Sequence, residues 1–277
     1  MKHPIVLDAC TLINMLRIED EGEYLSKALR ELDIHLSHVV YQEVEQCIFK
    51  NPLDEEQREH ISQMLSSFSC YIVRNFEHAI PDDTFYDELR RFSSHSKKDN
   101  GELHSSLLAL YLSRSKKSRL YFYTDDFPAK LQFTPYFLFQ QIGMIGDSVD
   151  LLLFLYWVRG DFTLIQLKKY LQDLYAEYAG GLKNFRDQIE KRAEGWTMKY
   201  KRDKYFQENF RLLRDGYLNC NFKNLNAAIV YFRKEKKKYS EIVEWINHFP
   251  AIDQETELIL KIRETMERLS NYKIYKS

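Results

Sequence analysis

The sequence is poor in the residues that characterise disulfide-rich, disordered and membrane-spanning proteins. Of its 277 residues, 9 are glycine, 6 are proline and 4 are cysteine. The cysteines are scattered without a Cys-x-x-Cys pair, which disfavours a disulfide framework and a structural zinc site. The longest apolar run, 149–158, is interrupted by Asp150 and is far shorter than the roughly 20 residues that a membrane span needs. We therefore expect a cytoplasmic protein with reduced thiols and no membrane segment.

The sequence also lacks a strong overall charge. Its formal net charge is −1, so no global field identifies it as a nucleic-acid-binding protein. Hydrophobic residues make up 44% of the chain, which is enough to build a folded core.

Short apolar runs alternate with helical patterns as far as residue 160. The pattern predicts strands at 4–7, 34–37, 70–73, 120–123 and 137–140. It predicts helices at 11–18, 24–32, 39–48, 55–68, 81–91 and 101–114, a polar loop at 93–100, and an apolar helix from Ser148. This alternation indicates an α/β fold with a small parallel sheet flanked by helices. After residue 160 the strand patterns end, and charged helices rich in Tyr and Phe follow. We expect two domains: an α/β domain over 1–160 and an all-helical domain over 161–277.

Five acidic residues share one kind of position in this pattern: Asp8, Glu43, Glu102, Asp125 and Asp126. Asp8 and Asp125 lie just past the C-terminal ends of predicted strands, at the sheet edge where parallel sheets form ligand sites. Glu43 and Glu102 lie in predicted helices. Clustered carboxylates suit a hard divalent cation and phosphodiester hydrolysis. The alternative is that Asp8 and Asp126 only cap helices, and a chain with 41 acidic residues places some at strand ends by chance.

Four segments carry these acids, in the order Ile5–Asn14, His38–Glu45, Gly101–Leu110 and Tyr123–Lys130. They contain an aspartate that ends the first strand, a glutamate in the helix after the second strand, a Gly-Glu helix start and a Thr-Asp-Asp segment. Together they resemble the motifs of the PIN-domain family of metal-dependent ribonucleases. Ile145–Leu152 is similar to the small-residue turn and Leu-rich helix that close many members. The resemblance covers residues 4–160. The long segment 55–100 and the C-terminal helices depart from the compact members.

The resemblance implies a PIN-like fold and an endoribonuclease, a hydrolase dependent on Mg²⁺ or Mn²⁺, as in the toxins of bacterial toxin–antitoxin pairs. Asp8, Glu43, Glu102 and one of Asp125 or Asp126 would be the catalytic metal ligands. The substrate would be RNA, with single-stranded DNA left open, and an inhibitory protein partner and a homodimer are further expectations. The alternative is a non-catalytic nucleic-acid-binding or protein-interaction module with a PIN-like fold.

Three polar residues, Thr11, Asn14 and Thr124, are candidates to orient the metal ligands. Thr11 and Asn14 are equally well explained as polar residues at a helix N-terminus. His104, two residues after Glu102, is expected to be partly exposed beside the site.

A basic segment stands out in the C-terminal half. Between residues 183 and 238 there are 16 Lys or Arg and 7 Asp or Glu. The densest run contains Arg233, Lys234, Lys236, Lys237 and Lys238. The interleaved aromatic residues are Trp196, Tyr200, Tyr205, Phe206, Phe210, Tyr217, Phe222, Tyr231 and Phe232. Cations with stacking aromatics are typical of single-stranded RNA binding. The alternative is that the aromatics pack in a core and the lysines form a solvated face.

Overall fold

The computed structural model of this protein describes residues 3–20, 22–50, 55–76, 87, 89, 91, 100–218, 222–247 and 252–271. In its first half, five parallel strands are flanked by helices. This confirms the α/β class and the parallel sheet. The predicted helix over 81–91 and the predicted loop over 93–100, apart from Asn100, fall largely outside the described residues.

The sheet places β1 at its centre. Its strands are β1 (Pro4–Leu7), β2 (Asp33–Ser37), β3 (Ile72–Val73), β4 (Leu120–Tyr123) and β5 (Gly143–Gly146), in the spatial order β3-β2-β1-β4-β5. All neighbouring pairs are parallel. All four residues of β1 are buried, as a strand covered on both faces requires.

The ends of β1 and β4 lie side by side. Leu7 is paired with Tyr123, and the N–H of Asp8 donates to the carbonyl oxygen of Tyr123 at 2.9 Å. The residues that follow these two strands are therefore brought together at one edge of the sheet.

Helices connect the strands and form the rest of the described chain. In the first half they are α1 (Ala9–Arg17), α2 (Tyr24–Arg30), α3 (His38–Lys50), α4 (Glu55–Ser66), α5 (Gly101–Ser115), α6 (Phe127–Phe139) and α7 (Ser148–Val158). They continue as α8 (Leu164–Lys199), α9 (Lys204–Leu218), α10 (Phe222–Lys234), α11 (Ser240–Asn247) and α12 (Ile252–Asn271). Within the described ranges, no helix combines the length and the apolar character needed to cross a bilayer.

Side-chain caps begin three helices at the same edge of the sheet. Asn100 accepts the N–H of Leu103 in α5, and Asp126 caps α6. Asp147 and Asp150 form a reciprocal capping box on α7. The helix starts are thus fixed close to the ends of β1 and β4.

The predicted strand at 137–140 is wrong, because these residues end α6 instead. Asp126 caps this helix and Pro128 lies in its first turn, where the missing N–H of proline costs nothing. The last strand begins later, at Gly143. A Cβ at Gly143 would lie 1.9 Å from the carbonyl oxygen of Leu120, so glycine permits the close approach of β5 to β4.

The described chain forms two compact units, one with the residues up to Leu174 and one with those from Tyr175 on. The change of pattern near residue 160 falls in the turn before α8. The first unit extends further because Tyr170, in the early turns of α8, packs on Phe162 and donates its hydroxyl to Asp20.

The core of the second unit contains most of the aromatic residues that were candidates for stacking on RNA. The buried ones are Trp196, Phe206, Phe210 and Phe232, and Tyr200 and Tyr231 are partly buried against them. For these six residues the stacking interpretation is corrected to core packing. Tyr205 is exposed, and the side chains of Tyr217 and Phe222 are outside the described part.

Candidate active site

Hydrogen bonds hold the side chain of Asp8 at the end of β1. Its Oδ2 accepts the hydroxyl of Thr124 at 2.9 Å and the thiol of Cys10 at 3.1 Å. The side chain is buried, and burial raises its pKa. Asp8 Oδ1 faces the other way, toward the start of α5.

Glu43 reaches the same point from α3. Its Oε1 accepts the backbone N–H of Gly101 at 2.9 Å. A Cβ at Gly101 would lie 2.2 Å from Glu43 Oε2 and 3.3 Å from Asp8 Oδ1. The absent side chain of Gly101 therefore leaves the space into which both carboxylates extend.

Glu102 is the third acid of this group. Its carboxyl group lies beside that of Asp126, and the charges of Asp126, Asp8 and Glu43 act on it. Burial, with the contribution of Asp126 next, raises the pKa of Glu102 to about 9. In the absence of a cation, burial and the neighbouring carboxylates therefore favour the protonated form of Glu102.

Asp125 and Asp126 have different environments. Asp125 is buried, its Oδ1 accepts the N–H of Ser148 at 2.7 Å, and its Oδ2 accepts the hydroxyl of Ser148 and the amide of Asn14. These bonds tie the end of β4 to α7 and α1. Asp125 therefore serves as an anchor between elements.

Asp126 is turned toward the other acids. Its Oδ1 accepts the N–H of Ala129 at 2.8 Å, its own N–H donates to Thr124, and its side chain meets Glu102. The structure thus brings Asp126 together with Asp8, Glu43 and Glu102, and it directs Asp125 to Asn14 and Ser148.

This group of four acids, Asp8, Glu43, Glu102 and Asp126, is here called the acid cluster. Within the described chain, no Lys or Arg forms an ion pair with any of its members. The nearby Lys130 is 2.7 Å from Asp147 and 3.7 Å from Asp150 instead. Because like charges this close disfavour ionisation, the cluster must hold protons or a cation.

One carboxylate oxygen of the acid cluster lacks a hydrogen-bond partner and is a candidate ligand for such a cation. Across the described ranges, no three His, Cys, Asp or Glu side chains are already arranged around one metal position. Glu102 Oε2, however, is buried without a hydrogen-bond partner there, and buried polar atoms nearly always have one. With Asp8 Oδ1 and Glu43 Oε2 it offers the hard oxygen donors that Mg²⁺ and Mn²⁺ prefer. The chemistry of these oxygen donors suits a hard divalent cation.

The three residues predicted to orient the ligands have three different positions. Thr124 contacts both Asp8 and Asp126. Asn14 contacts Asp125. Thr11 Oγ1 is buried and makes no hydrogen bond to Asp8 or to another group in the described part of the chain.

Sequence reasoning missed two residues of the site, Cys10 and Ser148. Cys10 lies two positions after Asp8, and Ser148 begins the helix that follows a small-residue turn. Both positions suggest side chains that reach the strand ends. His104 is buried, against expectation, because its ring packs edge-on against His38 and Phe76.

The basic run is far from uniform. Arg233, Lys234, Lys236 and Lys237 are exposed. Lys238 lies 2.6 Å from Asp203 and above the ring of Tyr239, so its charge is already paired.

Comparison with protein-family profiles, curated proteins and solved structures gives no match to this chain.

Proposed function

We propose that this protein is a divalent-metal-dependent endonuclease that hydrolyses phosphodiester bonds in RNA, with a PIN-like first domain and a helical second domain. The observation that carries the proposal is the acid cluster. Its four carboxylates converge at the ends of two parallel strands, where no described Lys or Arg pairs them and the charge of His104 lowers the pKa of Glu43 less than burial raises it. Such a cluster destabilises the fold, and a bound cation would offset that cost.

Each residue of the site has a role in this proposal. Asp8, Glu43, Glu102 and Asp126 hold Mg²⁺ or Mn²⁺ between them. When bound, the cation supplies activation of water and stabilisation of the leaving oxygen. Thr124 orients Asp8 and Asp126 at once.

Asp125 is left out of the metal site in this proposal. Its hydrogen bonds with Asn14 and Ser148 hold β4, α1 and α7 in register. Of the two aspartates that the sequence leaves open, Asp126 is the better candidate for a ligand.

The test is cleavage of labelled single-stranded RNA with Mn²⁺, with EDTA, and by two variants. Glu102→Gln removes the charge of one ligand, and Glu45→Gln removes an exposed charge from α3 as a matched control. We expect cleavage only with metal, and a loss of at least about 100-fold in Glu102→Gln, because residues that merely support a ligand typically cost about 10–100-fold. Cleavage that persists in EDTA, or that is equal in the two variants, would contradict the proposal. Binding of RNA without cleavage would favour a non-catalytic module.

A further inference from the structure

Two basic segments that are distant in sequence meet in the second unit. One is the turn 200–203 between α8 and α9, and the other is the turn 235–239 between α10 and α11. Lys238 Nζ lies 2.6 Å from Asp203 Oδ2, and the hydroxyl of Tyr239 donates to the same oxygen at 2.9 Å. These contacts place the two turns beside each other.

Two acids at this junction are already engaged. Asp203 also accepts the N–H of Phe206 at the start of α9, and Lys238 lowers its pKa to about 2. Glu241 accepts Lys199 Nζ at 2.7 Å and the indole N–H of Trp196 at 3.1 Å. Asp203 thus pairs with Lys238, and Glu241 pairs with Lys199. Neither acid forms an ion pair with the other cations of the two turns.

The remaining cations are exposed. They are Lys201, Arg202, Lys204, Lys236 and Lys237, and we call them the basic surface. In the described part of the chain none of the five forms an ion pair or a side-chain hydrogen bond. The two turns also contain Glu235, so five cations face one further acid, and the remaining excess of positive charge favours an anionic partner.

Exposed apolar groups adjoin the basic surface. The side chain of Tyr205 is 69% exposed and that of Met198 is 66% exposed. Both line one surface pocket with the residues of the turn between them. An accessible tyrosine ring beside unpaired cations is the combination that binds single-stranded nucleic acid, because the cations neutralise phosphates and the ring stacks on a base. A duplex offers no free base face for such stacking.

We infer that the basic surface binds the phosphate backbone of single-stranded RNA and that Tyr205 stacks on one of its bases. The choice of RNA rests on the proposed function, but the inference concerns binding and not cleavage. Lys238 is excluded from this contact although it belongs to the densest basic run, because Asp203 already pairs it.

The experiment is fluorescence anisotropy with labelled single-stranded RNA in EDTA, which prevents cleavage. The full chain is compared with the triple variant Lys201→Ala/Arg202→Ala/Lys204→Ala. A control variant, Lys27→Ala/Lys117→Ala/Arg263→Ala, removes the same charge from exposed positions elsewhere. We expect at least tenfold weaker binding in the first variant, a salt slope reduced by about 2, and near-normal binding in the control.

Tyr205 has a separate test. Tyr205→Ala should weaken binding by about fivefold or more without changing the salt slope, and Tyr205→Phe should restore it, because the ring and not the hydroxyl makes the stack. Unchanged binding in Tyr205→Ala would overturn the stacking contact.

Other results would overturn the inference as a whole. These are equal binding by the two triple variants, duplex RNA bound as tightly as single strands, or binding to vesicles of anionic lipid in the absence of RNA binding. RNA bound in EDTA through the basic surface but not cut with Mn²⁺ would support this inference and contradict only the proposed nuclease. If the unsubstituted protein cuts RNA with Mn²⁺ but the triple variant binds RNA as tightly, the proposed nuclease is supported and this inference is contradicted.

Discussion

The carboxylate of Glu43 occupies the space that a side chain at Gly101 would need. Glu43 Oε1 accepts the N–H of Gly101 at 2.9 Å, and a Cβ at that position would lie 2.2 Å from Oε2. The acid cluster therefore depends on the absence of a side chain in the first turn of α5.

Substituting this glycine should disrupt the site and spare the fold. In Gly101→Ala the new methyl group displaces the Glu43 carboxylate, and alanine at the same time favours the helix by up to about 1 kcal/mol. We expect unchanged circular dichroism, and at least tenfold weaker Mn²⁺ binding measured as the metal-dependent rise in melting temperature. Gly160→Ala is the control, since a Cβ there meets no atom within 4 Å. Equal metal responses in the two variants would show that this close contact is unimportant.

Substitution of Asp125 should lower stability, whereas substitution of Asp126 should weaken metal binding. Asp125→Asn places an NH₂ group among the donors of Ser148 and Asn14, so we expect a loss of about 1–3 kcal/mol in the free energy of unfolding. Asp126→Asn keeps a good helix cap and should change stability little. It should abolish most of the Mn²⁺-dependent rise in melting temperature. A full rise in Asp126→Asn would remove Asp126 from the ligand set.

Two buried threonines provide a matched pair. Thr124→Val removes a hydroxyl that donates to Asp8 and accepts from the N–H of Asp126, so we expect a loss of about 1–3 kcal/mol together with weaker Mn²⁺ binding. Thr11→Val removes a buried hydroxyl that has no partner in the described chain and should be neutral or slightly stabilising. Urea unfolding with and without Mn²⁺ measures both. A larger loss in Thr11→Val than in Thr124→Val would contradict these hydrogen bonds.

The raised pKa of Glu102 predicts how the stability of the metal-free protein depends on pH. The pKa of Glu102 is about 9 in the folded state and about 4.3 in an unfolded chain. Between these values the folded state holds a proton that the unfolded state has released, so the free energy of unfolding falls as pH rises. The contribution is fully present below the unfolded pKa and is lost through pH 9.

Urea unfolding in EDTA at pH 5, 7 and 9 tests this dependence. Glu102→Gln keeps the neutral form at every pH, so its stability relative to that of the unsubstituted protein should increase with pH. Burial raises the pKa values of Asp8 and Glu43 as well, and they add a decline of the same sign in both proteins. Parallel pH profiles of the two proteins would rule out the buried proton.

The sequence pattern predicts a strand correctly where the residues of that strand themselves have a high strand propensity. The predicted strand 120–123 coincides with β4 because its residues are apolar and aromatic and favour a buried strand. β5, Gly-Met-Ile-Gly, has two glycines and little strand propensity. It owes its position to pairing with β4, which a local pattern does not contain.

Contacts between residues distant in sequence also limit what the sequence predicts about the candidate site. The sequence indicated which acids follow strands, but it left Asp125 and Asp126 equivalent. Asn14 and Ser148 distinguish them, and they lie 111 and 23 residues from Asp125 along the chain. The partners of a buried polar group are set by tertiary packing, so adjacent identical residues can serve different purposes.

The different contacts of Asp125 and Asp126 predict how the two positions should diverge during evolution. An aspartate that joins β4 to α1 and α7 is under selection in every descendant that still folds. The aspartate that faces Glu102 also caps α6, a role that Asn or Ser can fill, so its negative charge is under selection only while the acid cluster binds a cation. A descendant that has lost activity should therefore keep the first aspartate of the pair and tolerate replacement of the second.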